Sequence, residues 1–180
     1  MIQRLRSTLV ALGAAAVLAG GCVLVSGQFI VQYDLGSVNV NSSGNINGQY
    51  VDLTGNSTYN DHKSDIKSLE DLALVGSIHN TGLASTTISV YLVDGNPGAI
   101  SSATVISTGT QVWGPLTVAS GATETLDWNR SAKLFGAGKA TLLAHIKGGT
   151  NFTLYALSNT SPFSFDITNA AFIAVIGAGK

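Results

Sequence analysis

Alternation of apolar and polar residues is the feature of this chain that most restricts its fold. Ile88, Val90 and Leu92 fall on one side of an extended chain, and Phe152 and Leu154 repeat the pattern. A period of two is typical of strands that bury one face. We predict strands at residues 28–34, 48–53, 73–79, 88–93, 104–112, 124–128, 139–147, 152–156 and 170–176.

Turn-forming residues separate these predicted strands at intervals that suit an antiparallel sheet. Asn80-Thr81-Gly82 and Gly148-Gly149 are two such breaks. Charged residues make up only 11% of the chain, and the polar residues are mainly Gly, Ser, Thr and Asn, which favour strands and turns over helices. We therefore predict an all-β fold with a single antiparallel β-sandwich.

One segment has the spacing of a short helix. Asn60 or Asp61 could cap it, and Ile66, Leu69 and Leu72 then recur on one face. A capping residue followed by apolar residues three apart predicts a helix. We place this one short helix at residues 61–72.

Three segments resemble the immunoglobulin-like domains of bacterial surface proteins. They are residues 78–82 with an Asn-x-Gly turn, residues 90–92, and residues 116–123 with a Gly-Ala-Thr turn. In those domains one such turn follows a strand and the other precedes a strand. The resemblance implies an immunoglobulin-like β-sandwich, and it implies no particular activity.

The first residues form a basic and then apolar leader. Arg4 and Arg6 are the charged side chains of residues 1–21, and Leu18-Ala19-Gly20-Gly21-Cys22 ends the apolar run. This is the pattern of a secretory signal peptide. The ending resembles the lipobox of bacterial lipoproteins, which implies cleavage before Cys22 and a diacylglycerol on its sulfur, with acyl chains such as palmitate.

The lipobox resemblance sets the expected domain organisation and location. Residues 1–21 would be a signal peptide, residues 22–27 a lipidated tether, and residues 28–180 the sandwich domain. Val23 rather than Asp follows Cys22, which by the sorting rule of such lipoproteins favours the outer membrane in a cell with two membranes. Two alternatives stay open: an ordinary signal peptide before an unmodified Cys22 thiol, or an uncleaved membrane helix at residues 7–25.

The charge balance argues against a nucleic-acid partner. The net charge is −1, and loss of Arg4 and Arg6 with the leader would make the mature chain more acidic. Nucleic-acid binding depends on clustered Lys and Arg, and the basic residues here are scattered. We expect no nucleic-acid partner.

Aromatic residues give one candidate ligand surface. Trp113 and Trp128 flank the loop at residues 115–122, and Tyr91 lies on a predicted strand. If they share an exposed face, they could stack on sugar rings. If they cap the core of the sandwich instead, they serve packing.

Metal and catalytic motifs are sparse. Asp61, His62 and Asp65 are weak candidates for a metal site, since carboxylate and imidazole are common ligands; a solvated helix cap explains the same residues. A loop with Asp52 and Asn56 has oxygen ligands that suit calcium, or plain turn chemistry. No catalytic motif is recognisable, so we predict no enzyme activity and no cofactor.

These features favour a lipid-anchored cell-envelope protein that acts as a non-enzymatic binding or structural module. Its expected partners are the membrane, through the lipid on Cys22, and another envelope protein. Two alternatives remain: a carbohydrate-binding module with an aromatic platform, and an envelope hydrolase with paired acids or an acid beside His62.

Overall fold

The computed structural model describes residues 24–25, 28–55, 59–60, 63–65 and 68–177. The leader, Cys22, Asp61 and His62 lie outside these residues. Asp65 is described by its backbone alone.

The described chain is mostly strand, with three short α-helices and one 3₁₀ turn at Lys63–Asp65. The strands are β1 (Leu24–Val25), β2 (Gln28–Ser42), β3 (Ile46–Val51), β4 (Ser68–Asn80), β5 (Thr86–Asp94), β6 (Thr110–Val118), β7 (Thr123–Leu126), β8 (Phe152–Ser158) and β9 (Phe163–Gly177). The helices are α1 (Ser102–Thr108), α2 (Trp128–Leu134) and α3 (Lys139–Gly148).

The strands form two antiparallel sheets, which confirms the predicted β-sandwich. One sheet has the order β1-β2-β9-β4-β7, and the other has the order β3-β8-β5-β6. From β2 onward, every connection crosses to the opposite sheet except the one from β5 to β6. This strand order defines a jelly roll, the eight-stranded double Greek key.

The jelly-roll order differs from the immunoglobulin-like order expected from the sequence. In immunoglobulin domains several consecutive strands pair within one sheet. Here the Asn80 turn sends the chain from β4 in one sheet to β5 in the other. The expectation was wrong because the turn residues fix the local bend, whereas they do not specify which sheet the next strand joins.

Three predicted elements differ from the observed ones. Residues 139–147 form α3 rather than a strand, because Leu142 and Ile146, four apart, can share a helix face as well as a strand face. Residues 104–108 belong to α1, which Ser101 caps by accepting a hydrogen bond from the Thr104 N–H. In place of the helix predicted at residues 61–72, the chain from Ser68 on forms β4. The pairing of β4 with β9 is irregular between Leu69 and Asp71, and such an irregularity interrupts the alternation of a regular strand.

The five-stranded sheet is longer than its partner, and helices cover the difference. β2 and β9 have 15 residues each, whereas β5 and β6 have 9. α2 and α3 pack against β4 and β6. The Leu74 N–H of β4 donates to the buried Ser131 hydroxyl of α2 at 2.7 Å, so this helix also satisfies part of the strand edge.

Two apolar clusters stabilise the sandwich. The main core lies between the sheets and includes Leu72, Val112 and Phe165. A smaller cluster lies on the outer face of the four-stranded sheet, where Val105 of α1 packs with Tyr155. Within the described residues, no helix is long and apolar enough to cross a membrane.

Candidate functional site

The main core contains a partly open cavity of about 230 Å³. Aliphatic and aromatic side chains from both sheets and from α3 form its wall. They include Val40 on β2, Leu74 on β4, Val90 on β5, Leu154 on β8, Phe165 on β9 and Leu142 on α3. No ionisable side chain lines it.

Strand alternation explains why the wall is apolar. On β9, Phe163, Phe165 and Ile167 line the cavity, while Asp166 between them accepts a hydrogen bond from the Asn39 amide. Successive side chains of a strand point to opposite faces. The inner face of β9 therefore supplies hydrocarbon, and the outer face supplies polar groups.

Aromatic rings fix the two ends of the cavity wall. The rings of Phe163 and Phe165 lie 6.0 Å apart at an angle of 50°. At the other end, Phe135 and Phe172 meet edge to face with their centroids 6.3 Å apart. Such contacts add to the stabilisation from burial, so the wall at both ends is held by ring packing.

Side chains on the inner faces of the edge strands β2 and β3 are partly exposed beside the cavity. Val38 pairs with Ile167, a lining residue, yet 39% of its surface is exposed. Gln49 pairs with Leu154 and is also exposed. The Asn47 amide of β3 donates to the backbone oxygen of Asn41 on β2 at 3.1 Å. The inner faces of the two edge strands are therefore partly exposed to solvent, and one hydrogen bond bridges the strands.

The aromatic residues singled out in the sequence do not form a shared surface. Trp113 is only 5% exposed and lines the cavity. Tyr91 packs in the cluster on the opposite face of the sheet, and its hydroxyl donates to Gln111 Oε1 at 3.3 Å. Trp128 is half-buried at the first turn of α2. These three residues therefore do not form the shared sugar-stacking face that was one of the two alternatives from the sequence.

The indole Nε1 of Trp113 is buried without a hydrogen-bond partner. It is the one such side-chain nitrogen or oxygen among the described residues. Buried polar groups are usually paired. This property could not be predicted from the sequence, because the pairing of an indole depends on distant neighbours.

The weak candidate metal site at Asp61, His62 and Asp65 lies outside the side chains that the structure describes. No group of three or more His, Cys, Asp or Glu in the described part of the chain could hold a metal ion. Asp61 and His62 fall outside the described residues. Asp52 instead closes its own turn, where bonds from the Thr54 hydroxyl and the Gly55 N–H hold the pKa of its carboxyl below the usual 3.8.

One histidine joins a carboxylate and a hydroxyl. His145 Nε2 lies 3.0 Å from Asp94 Oδ1, and its Nδ1 lies 2.7 Å from Thr150 Oγ1. The ring also packs edge-on against Phe152. Asp94 is largely exposed. These contacts connect the end of α3 to β5 and β8, so His145 has a structural role.

Comparisons with known proteins assign no family. No protein-family model and no curated protein matches the chain. A solved structure of Desmodium yellow mottle tymovirus is 15% identical over 87% of this chain and 91% of that chain, with a TM-score of 0.30. A structure of infectious bursal disease virus Gx strain is 10% identical over 85% of this chain and 31% of that chain, with a TM-score of 0.28. TM-scores this low do not establish a shared fold, so the jelly roll is assigned from the strand order alone.

Proposed function

We propose that this protein is a lipid-anchored, non-enzymatic binding module of the bacterial cell envelope, and that its ligand site is the cavity between the sheets. The leader and Cys22 support export and anchoring. The apolar cavity supports the binding role.

The cavity is the observation that carries the binding role. Protein interiors are close-packed, and few voids in them exceed the size of a water molecule. An engineered apolar cavity of about 150 Å³ stays dry and binds benzene. The cavity here has a volume of about 230 Å³, so it has room for a small apolar ligand.

The chemistry of the wall supports binding rather than catalysis. General acid–base catalysis needs a titratable side chain within hydrogen-bond reach of the substrate. The wall carries none. A ligand in the cavity would be shielded from water, and no side chain of the wall could donate a proton to it or accept one from it.

The binding role can be tested with 1-octanol and a cavity-filling variant. Ala156 lies on the cavity wall, whereas Ala144 is exposed on α3. We expect 1-octanol to bind the wild type with one saturable site in a calorimetric titration. A folded Ala156→Phe should bind at least tenfold more weakly, because the ring occupies the site.

The matched control is Ala144→Phe, which adds the same ring outside the cavity. It should bind 1-octanol as the wild type does. Equal binding by wild type and a folded Ala156→Phe, or no binding by either, would refute the cavity as the site.

The anchoring part of the proposal has a separate test. The full-length chain expressed in a bacterium should yield a detergent-extracted species that begins at Cys22 and carries diacylglycerol and acyl mass. Cys22→Ser should lack this mass in intact-protein mass spectrometry. A wild-type protein cleaved elsewhere without lipid, or left uncleaved, would refute the anchor.

One end of the sandwich supports a protein partner as well. The loops at residues 43–45, 81–85, 119–122 and 159–162 meet at this end and carry no charged side chain. Leu83 is fully exposed in one of them. An uncharged surface with an exposed leucine suits protein contact better than contact with a charged polymer.

A further inference from the structure

The residues that line the cavity extend along much of β9. Its lining residues on β9 run from Phe163 to Phe172. At about 3.3 Å per residue, this stretch of strand spans roughly 25–30 Å. Ile88 lies near one end of the wall and Leu142 near the other. A volume of about 230 Å³ distributed along such a wall is narrow.

Beside the cavity, the inner face of β2 is apolar and the inner face of β3 carries amide side chains. Val38 and Val40 of β2 face the gap from one sheet. Asn47 and Gln49 of β3 face it from the other, since they pair with the inward-facing Ala156 and Leu154. Amide side chains donate and accept hydrogen bonds and carry no charge.

We propose that the cavity binds one unbranched alkyl or acyl chain, which enters between β2 and β3 and leaves its uncharged polar end beside Asn47 and Gln49. A narrow apolar cavity fits a methylene chain better than a compact ring. The amides at the edge would pair with a hydroxyl, ester or amide head group. This inference rests on the proposed function and names the ligand class of the same site.

Chain length gives the first test. Each buried methylene contributes a roughly constant free energy, which corresponds to about a fourfold change in Kd. In calorimetric titrations with 1-alkanols from hexanol to dodecanol, we expect Kd to fall by about this factor per methylene and then to level off once the cavity is full. A Kd that is independent of chain length would overturn the inference.

Ligand shape gives the second test. 2-Cyclohexylethanol has the same carbon number as 1-octanol but is more compact. We expect it to bind at least tenfold more weakly than 1-octanol. Equal or tighter binding of the ring compound would overturn the preference for a linear chain while leaving the proposed function intact. Failure of 1-octanol itself to bind would instead overturn the proposed function.

A matched pair of variants tests the opening. Val38 and Ile30 lie on the same strand and are 39% and 44% exposed. Val38 faces the gap, whereas Ile30 lies eight positions earlier, at the far end of β2. Val38→Trp should weaken 1-octanol binding at least tenfold or slow its association by a similar factor, and Ile30→Trp should change neither. Unchanged affinity and rate in a folded Val38→Trp would overturn the opening between β2 and β3.

Discussion

Asn80 joins the β4–β5 connection to the end of β6 through one fully buried side chain. Its amide nitrogen donates to the carbonyl oxygens of Ala84 and Val118, each at 2.9 Å. Its amide oxygen accepts from the Gly82 N–H at 2.9 Å. The Asn-x-Gly sequence predicted the turn. The bond to Val118 could not be predicted, because it spans 38 residues of sequence.

Replacement of Asn80 by alanine should destabilise the protein strongly. The change removes three hydrogen bonds from a buried turn, so we expect the free energy of unfolding to fall by about 2–4 kcal/mol. Urea denaturation of Asn80→Ala measures this loss. Asn96→Ala, in an exposed loop, is the control and should stay within about 0.5 kcal/mol of wild type. Equal stability of the two variants would contradict the role of Asn80.

Asp71 and Lys139 connect β4 to the first turn of α3. Their side chains form an ion pair with a hydrogen bond. Partial burial of the Asp71 carboxyl raises its pKa. The bond from Lys139, the Leu72 N–H and the charge of Lys139 together outweigh burial and hold the pKa below the usual 3.8. The ionised form of Asp71 is therefore favoured in the folded state.

This lowered pKa predicts a pH dependence. A carboxyl whose pKa is lower when folded adds stability above its unfolded pKa, and that stability disappears as the pH falls through the folded pKa. We expect Asp71→Asn to have a lower Tm than wild type at pH 7. The difference should shrink below pH 3.8. Lys139→Met should behave in the same way. A Tm difference that is constant from pH 7 to the acid limit would exclude this pair as its source.

At the scale of elements, the sequence predicted strands well where alternation was regular. β5 and β8 lie where Ile88, Leu92 and Phe152 placed them. The helices were missed because they depend on contacts that lie outside the local sequence. α1 contains the β-branched run Thr104-Val105-Ile106. The intrinsic propensity of β-branched residues favours strands over helices. Its helical form depends on the Ser101 cap and on burial of Val105 against the neighbouring sheet, and burial against a distant strand cannot be read from a window of sequence.

The docking of α3 depends on a close backbone approach at Gly138. A Cβ at this position would lie 1.9 Å from the carbonyl oxygen of Gln111 on β6. We expect Gly138→Ala to lower the free energy of unfolding by about 1–3 kcal/mol, since the helix must move away from the strand. Gly136 is two residues earlier, and a Cβ there meets nothing within 4 Å. Thermal unfolding should show Gly136→Ala close to wild type, and an equal loss in both variants would refute the close-approach argument.

At the scale of the whole molecule, the sandwich was predictable and its cavity was not. Alternation showed which faces of β5 and β8 turn inward, including Val90, Leu154 and Ala156. It could not show how far apart the two inner faces lie, because that distance depends on the packing of residues from six strands and α3. For the same reason Trp113, expected as either core or ligand surface, proved to be part of the cavity wall.

The most direct test of the account is a crystal structure of the protein under xenon pressure. Xenon binds dry apolar cavities. We predict a xenon site between the two sheets beside Phe165 and Ala156, and its loss in Ala156→Phe. A structure in which the sheets close on each other and xenon is absent from the core, or in which ordered water fills the space, would contradict the apolar binding site.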